Sequence, residues 1–341
     1  MDTETLGLVG FVLLLLIAAT VVVSLLKRRA SASGFDLAVV ETFRVRVRAW
    51  WILFTGLAAA FLCDQYLAQY RAGQTVTVVL FGLIAFWALR EFITLTPTRP
   101  GDHRALFWVF FLFAPLQFVL VGMKRYDLYS TLIPVYAFLF IPARVAMSGD
   151  TKRFLERTAK IQSGLLICVY CLSYAPALLT LEIPDPIAAG ASATKAGTTV
   201  RLLFFFVLMT QLSDALQYAW SKLPSRHLLV PTISQTRTWE GLLGGAASVT
   251  LLGTALWWFT RPFPVWWHAA STSLVIALMG FAGGLTMSAI KRDRGVRDFG
   301  TLVEGHGGVL DRIDSLCFAA PIFFHFTRYW LLIQTGAGAG S

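Results

Sequence analysis

Charge is what this chain has least of. Only 14% of its 341 residues are Asp, Glu, Lys or Arg, against 56% hydrophobic, and mean hydropathy is +0.66. Ordinary soluble domains carry about 25% charged residues, so a water-facing globule is excluded. Strict alternation of apolar and polar residues is also lacking, which removes a membrane β-barrel. Helices remain, because in lipid they satisfy every backbone N–H and C=O internally. Cysteine is sparse too. Cys63, Cys168, Cys171 and Cys317 all lie in apolar runs. Cys168-Val-Tyr-Cys171 lacks the βαβ surroundings of a redox pair, so core packing is its expected role. Among five histidines, His103, His227, His268 and His325 are scattered without ligand spacing. The net charge of +10 is distributed beside apolar segments and forms no single basic patch, so no nucleic-acid partner is expected.

Long apolar runs are what is there. Segments at 5–26, 49–68, 74–95, 105–123, 127–147, 161–183, 197–219, 236–259, 264–290 and 315–335 are long enough to cross a bilayer, which takes about 20 apolar residues. The expected fold is therefore an all-α integral membrane bundle of about ten transmembrane helices. The first run follows an acidic start and ends in Lys27-Arg28-Arg29, the reverse of a secretory signal. It reads as a retained anchor with the N-terminus outside. With that start, most of the 29 Lys and Arg residues fall on the cytoplasmic side, as topology rules require. Residues 27–49, with Arg44, Arg46 and Arg48, become a cytoplasmic interfacial segment. The loop from Glu182 to Gly197 separates an N-terminal helical half, 1–183, from a C-terminal half, 197–335, followed by a flexible tail, 336–341.

Most polar chemistry lies in the C-terminal half. Between Ser288 and Asp314 stand Lys291, Arg292, Arg294, Arg297 and Asp298, then Gly305-His306-Gly307-Gly308, then Asp311-Arg312-Ile313-Asp314. Glycines let backbone N–H groups approach a phosphate. Asp311 and Asp314, three apart, share a helix face. Two carboxylates suit Mg²⁺, which fills its remaining positions with phosphate oxygens and water. Ser213-Asp214 lies deep in the seventh segment, where a carboxylate is expensive and marks a functional site by default. Its bland counterpart is an acid paired to a neighbouring arginine for packing. Ser234, Arg237, Thr238 and Glu240 open the eighth segment as an anion site at a helix start, although Thr238 as an N-cap would use some of the same groups.

These three stretches together resemble the phosphatidate cytidylyltransferases (CDP-diacylglycerol synthases). The resemblance covers roughly residues 210–320 and implies an all-helical membrane enzyme. Its expected reaction joins CTP to phosphatidic acid, releasing pyrophosphate with the help of Mg²⁺, with a second or monovalent cation left open. The implied catalytic residues are Asp214, Lys291, Arg292, Asp298 and His306, with Asp311 and Asp314 on the metal. Ser213, Ser234, Arg237, Thr238, Glu240, Ser288, Arg297, Gly305, Gly307, Gly308 and Arg312 are implied in substrate binding. Expected partners are CTP, phosphatidic acid and the lipid bilayer, with a homodimer left open and the active site facing the cytoplasm. The chain departs from the family pattern at Gln235, Arg237, Arg297 and Glu304, and most consequentially at Gly284, where many members carry a metal-binding aspartate. Either Asp214 or Asp298 then supplies the missing oxygen, or a metal site is reduced. Two other readings are a CTP-dependent lipid alcohol kinase, resembling dolichol and phytol kinases, and a transporter using intramembrane Asp214 and Arg328.

Overall fold

The computed structural model of the chain describes residues 3–33, 37–68, 74–95, 98–181, 196–223, 227–234, 236–260, 263, 265–300 and 307–334. Gly305, His306, the 336–341 tail and most of the Glu182–Gly197 loop lie outside them. The described chain folds as successive helices: α1 (Thr3–Ser33), α2 (Leu37–Ala68), α3 (Thr75–Thr94), α4 (Pro100–Gly122), α5 (Tyr126–Ala146), α6 (Phe154–Thr180), α7 (Ala196–Trp220), α8 (Trp239–Thr260), α9 (Trp266–Asp293) and α10 (Leu310–Gln334). Among the described residues there is no strand, only one isolated antiparallel bridge between Leu228 and Thr238.

Eight helices, α1 to α7 and α9, are long and apolar enough to cross a membrane. The other two apolar segments of the sequence, 236–259 and 315–335, coincide with α8 and α10. The protein is an all-α, polytopic membrane bundle, as its composition demands. Most of the 27–49 segment is drawn into helix as well: α1 runs on to Ser33, and Arg44, Arg46 and Arg48 fall in the early turns of α2.

Residue distribution explains the packing. Leu14, Ile52, Leu83, Phe111, Leu139 and Leu251 are exposed, a waste of apolar area in water but the correct outer surface for lipid. Phe204, Phe205 and Phe206 are all buried, which a helix permits only when neighbours enclose it on every side. Helices α4 and α5 each widen into a π-helical turn beside a proline, at Val109–Phe113 ahead of Pro115 and at Leu132–Ala137 around Pro134. Proline withholds an N–H and crowds the preceding turn, and a wider turn accommodates it.

Polar networks fix the helix ends. Asp64 on α2 accepts hydrogen bonds from Val76 N (2.7 Å), Thr77 N (2.9 Å) and Thr77 Oγ1 (2.6 Å), capping α3. On α6, Arg157 donates through Nε to buried Asp102 (3.1 Å) and pairs through Nη1 with Asp150 (2.8 Å), joining α6 to the start of α4. Helices α7, α8, α9 and α10 pack in sequence, and α10 also meets α3 and α6. That position makes the first turns of α10 the meeting point of both halves of the chain.

Candidate active site

An intramembrane carboxylate needs partners, and Asp214 finds them from three directions. It lies on α7, and its Oδ1 accepts a 2.8 Å hydrogen bond from Ser315 Oγ on α10. The Ser315 backbone N–H donates to Asp314 Oδ1 (2.8 Å), so one serine engages both acids, through its hydroxyl and its backbone. Arginines from other elements stand in the same cavity: Arg237, from the connection between α7 and α8, and Arg46, from α2. All of these except Ser315 line one polar cavity of about 130 Å³, together with Gln217, Thr238, Asp311 and Arg312.

Asp311 is differently placed from Asp314. Its Oδ1 accepts from Lys291 Nζ (2.7 Å) and its Oδ2 from the backbone N–H groups of Phe299 (2.8 Å) and Gly308 (3.0 Å). Lys291 also lies 5.4 Å from the Phe299 ring centre. Asp311 therefore fastens the end of α9 and the residues after it to the start of α10. Asp311 and Asp314, the expected metal pair, line the same polar cavity, with both oxygens of Asp311 already engaged by Lys291 and by the loop.

The glycine loop is occupied in a comparable way. Glu91, buried on α3, accepts from Val309 N (2.9 Å) and Leu310 N (2.8 Å), capping α10 where its dipole favours an anion. A Cβ on Gly308 would collide with the Glu91 carboxylate. Gly307 has φ +82°, a backbone conformation that favours glycine. In the described part of this loop, the N–H groups of Gly308, Val309 and Leu310 thus bind protein carboxylates. Gly305 and His306 fall outside the described residues.

Most of the other expected site residues, among them Thr238 in the cavity wall, have partners of their own. Ser213 is fully buried and its Oγ accepts from Gln217 Nε2 (2.8 Å). Thr238 Oγ1 accepts from Gly241 N (3.0 Å), an N-cap on α8. Glu240 accepts from His227 N and meets its Nδ1 at 2.6 Å, closing the α7–α8 connection. Ser234 Oγ lies 3.2 Å from Thr236 Oγ1. Ser288 donates to Gly284 O (2.6 Å) within α9, and Arg292 donates to Ile233 O (3.3 Å). Arg297 and Asp298 are exposed. Arg328 stacks on Tyr126, with 3.4 Å from guanidinium carbon to ring centre. It stands about 20 Å beyond Ser315 along α10 at 1.5 Å per residue, so it shares no site with Asp214.

Three participants are not singled out by the sequence alone: Arg46 stands among the arginines of the interfacial segment, Gln217 in the seventh apolar segment and Glu91 near the end of the third. For Arg46 a signal existed: helical geometry puts Arg44 and Arg48 on one face and Arg46 about 200° from Arg44.

A second cavity adjoins the first. It is an apolar groove of about 680 Å³ between α2, α3 and α10, with Ile52, Leu53, Leu57, Leu80, Ile84 and Leu316 in its walls. Ala49 and Arg312 belong to both cavities. Arg48 lines the groove, one residue before Ala49.

The donor set bears on a metal ion. Among the described residues, no three His, Cys, Asp or Glu side chains gather closely enough to hold one unaided. Asp214 and Asp314 nevertheless supply two carboxylates linked through Ser315, and Mg²⁺ asks for only one or two when phosphates and water complete its shell. The residues fit such an ion.

The "Uncharacterized protein YnbB" of Escherichia coli (strain K12) is 35% identical over 286 residues, 84% of this chain and 87% of that protein. A phosphatidate cytidylyltransferase of Staphylococcus epidermidis is 35% identical over 136 residues, 40% of this chain and 50% of its own length. One from Staphylococcus aureus (strain COL) is 34% identical over 120 residues, 35% of this chain and 46% of its own. The chain thus spans about half the length of the phosphatidate cytidylyltransferases it matches. The model of the cytidylyltransferase family matches residues 44–330, a stretch that includes Arg46, Glu91 and every carboxylate of the polar cavity. With most of its length and its cavity inside that match, the chain belongs to the cytidylyltransferase family.

Proposed function

We propose that the protein transfers the cytidylyl group of CTP to phosphatidic acid, giving CDP-diacylglycerol and pyrophosphate. One observation carries this reading: a polar cavity lined by three carboxylates and three arginines adjoins a large apolar groove and shares Ala49 and Arg312 with it. That juxtaposition suits an amphiphile with an anionic head and a hydrocarbon body. In the reaction, a phosphate oxygen of phosphatidic acid attacks the α-phosphorus of CTP. The bond from that phosphorus to the bridging oxygen breaks, and pyrophosphate leaves with the electron pair.

Little covalent work falls to the protein in such a displacement, so positioning and charge neutralisation dominate. Arg46 and Arg237 hold positive charge against the nucleotide phosphates. Arg312, at the junction of the two cavities, orients the lipid phosphate while the groove receives an acyl chain. Asp214 and Asp314 would hold Mg²⁺, which when bound would neutralise phosphate charge as pyrophosphate leaves. Lys291, Asp311 and Glu91 keep the start of α10 in place. The cavity faces the cytoplasm, where CTP is found and where most basic residues fall.

The test uses purified protein, phosphatidic acid, Mg²⁺ and CTP labelled either in the cytidine ring or at the γ-phosphate. Ring label recovered on the lipid supports the reading. Recovery of γ-label alone would replace it with lipid kinase activity, and recovery of neither would overturn it.

A further inference from the structure

Arg237 reaches the polar cavity from a loop, yet its guanidinium sits in a defined seat. On α9, Gly284 leaves a notch: a Cβ there would lie 2.9 Å from Arg237 Cζ and collide with Nη2. The Phe281 ring, one helical turn earlier, presents its face with its centre 5.0 Å from Cζ. From α7, Gln217 Oε1 accepts a 2.9 Å hydrogen bond from Nη1. Gln217 is itself fixed, because its Nε2 donates to Ser213 Oγ (2.8 Å) and to Ala277 O (3.0 Å), leaving Oε1 turned to the arginine. Buried Ser213 thereby acts on Arg237 through Gln217, without touching the cavity itself.

The seat matters because the cavity's three arginines only balance its three acids. Asp214, Asp311 and Asp314 share the cavity, and an arginine swung outwards would leave them to repel a polyphosphate. A long side chain ordered only when ligand arrives loses its freedom on binding, whereas a guanidinium held beforehand does not. Resting on the function proposed above, we infer that Gly284 and Gln217 are positioning residues. They lock the Arg237 guanidinium inward as a fixed cation that recognises the triphosphate of the nucleotide.

A double-mutant cycle tests this on the full-length protein. CTP binding is measured by titration calorimetry in detergent, and KM and kcat by pyrophosphate release. Gly284→Ala is expected to weaken CTP binding and raise its KM by about tenfold, the loss of one charge-assisted contact, with kcat changed less than threefold. In an Arg237→Ala background, Gly284→Ala should have no further effect on CTP affinity. If Gly284→Ala fails to fold, Gln217→Met, which removes the acceptor at similar volume, takes its place in the same cycle with the same expectations. CTP affinity within twofold of wild type, or an equal loss in the Arg237→Ala background, overturns the inference alone. Failure of the wild-type protein to bind CTP overturns the inference and the proposed function together.

Discussion

Asp214 and Asp314 reach one cavity from different helices, α7 and α10, and both accept from Ser315, one from its hydroxyl and one from its backbone N–H. Removing either negative charge changes what the cavity can hold. Asp214→Asn and Asp314→Asn should each lower cytidylyl transfer by about a hundredfold or more, in the range of losing a principal electrostatic contact, while α-helical content by circular dichroism stays unchanged. Arg46 belongs to the same argument. Its side chain lies 5.0 Å from the Tyr218 ring centre and lines the cavity beside Asp214. Arg46→Ala should raise the KM for CTP by roughly ten- to a hundredfold, from loss of a charged contact worth about 1.5–3 kcal/mol; an unchanged KM would return Arg46 to a purely topological role. Lys291 acts at one remove, through Asp311. Acids at 214, 311 and 314 were legible in the sequence because a carboxylate in or beside an apolar run demands a reason. Arg46 was legible only in part: its placement opposite Arg44 and Arg48 follows from helical geometry, but its meaning depends on which face of α2 meets α7.

At the scale of the element, the start of α10 is the best example of a feature hidden from sequence. Gly307-Gly308 suggested a phosphate cradle, yet the structure places the Glu91 carboxylate against Gly308 and uses the next two N–H groups to bind it. The partner lies 218 residues away along the chain, and no local pattern predicts such a contact. Glu91→Gln presents an amide donor to one of those N–H groups. It should destabilise the bundle by about 1.5–3 kcal/mol, the range for a hydrogen bond to a charged group, read as a lower unfolding midpoint in mixed detergent micelles. The connection between α5 and α6 offers a pH test. A hydrogen bond from Arg99, aided by the Lys152 N–H and by the charge of Arg157, holds the Asp150 carboxyl below its usual range. A depressed folded pKa means that its contribution is complete above the unfolded value, about 3.9, and is lost as pH falls through the lower folded value. Asp150→Asn should therefore lower the thermal midpoint at pH 7. The difference from wild type should shrink towards zero as the solution is acidified below that range.

For the whole molecule, the bilayer is the solvent that makes the sequence intelligible. Scarce charge and long apolar runs foretold an all-helical bundle, and among the described residues each apolar segment of the sequence coincides with a helix for most of its length. The groove beside the polar cavity was not foreseeable, because its walls are ordinary leucines and isoleucines of α2, α3 and α10 that acquire meaning only once packed together. Narrowing it should affect the lipid substrate selectively: Gly56→Leu on α2 should raise the KM for phosphatidic acid several-fold and leave that for CTP within twofold. The most direct test of the central claim is pyrophosphate release from CTP by purified protein, with and without phosphatidic acid, beside the Asp214→Asn/Asp314→Asn double variant. Release that requires phosphatidic acid and vanishes in the variant is the result predicted; release that ignores the lipid, or survives loss of both acids, would contradict the account.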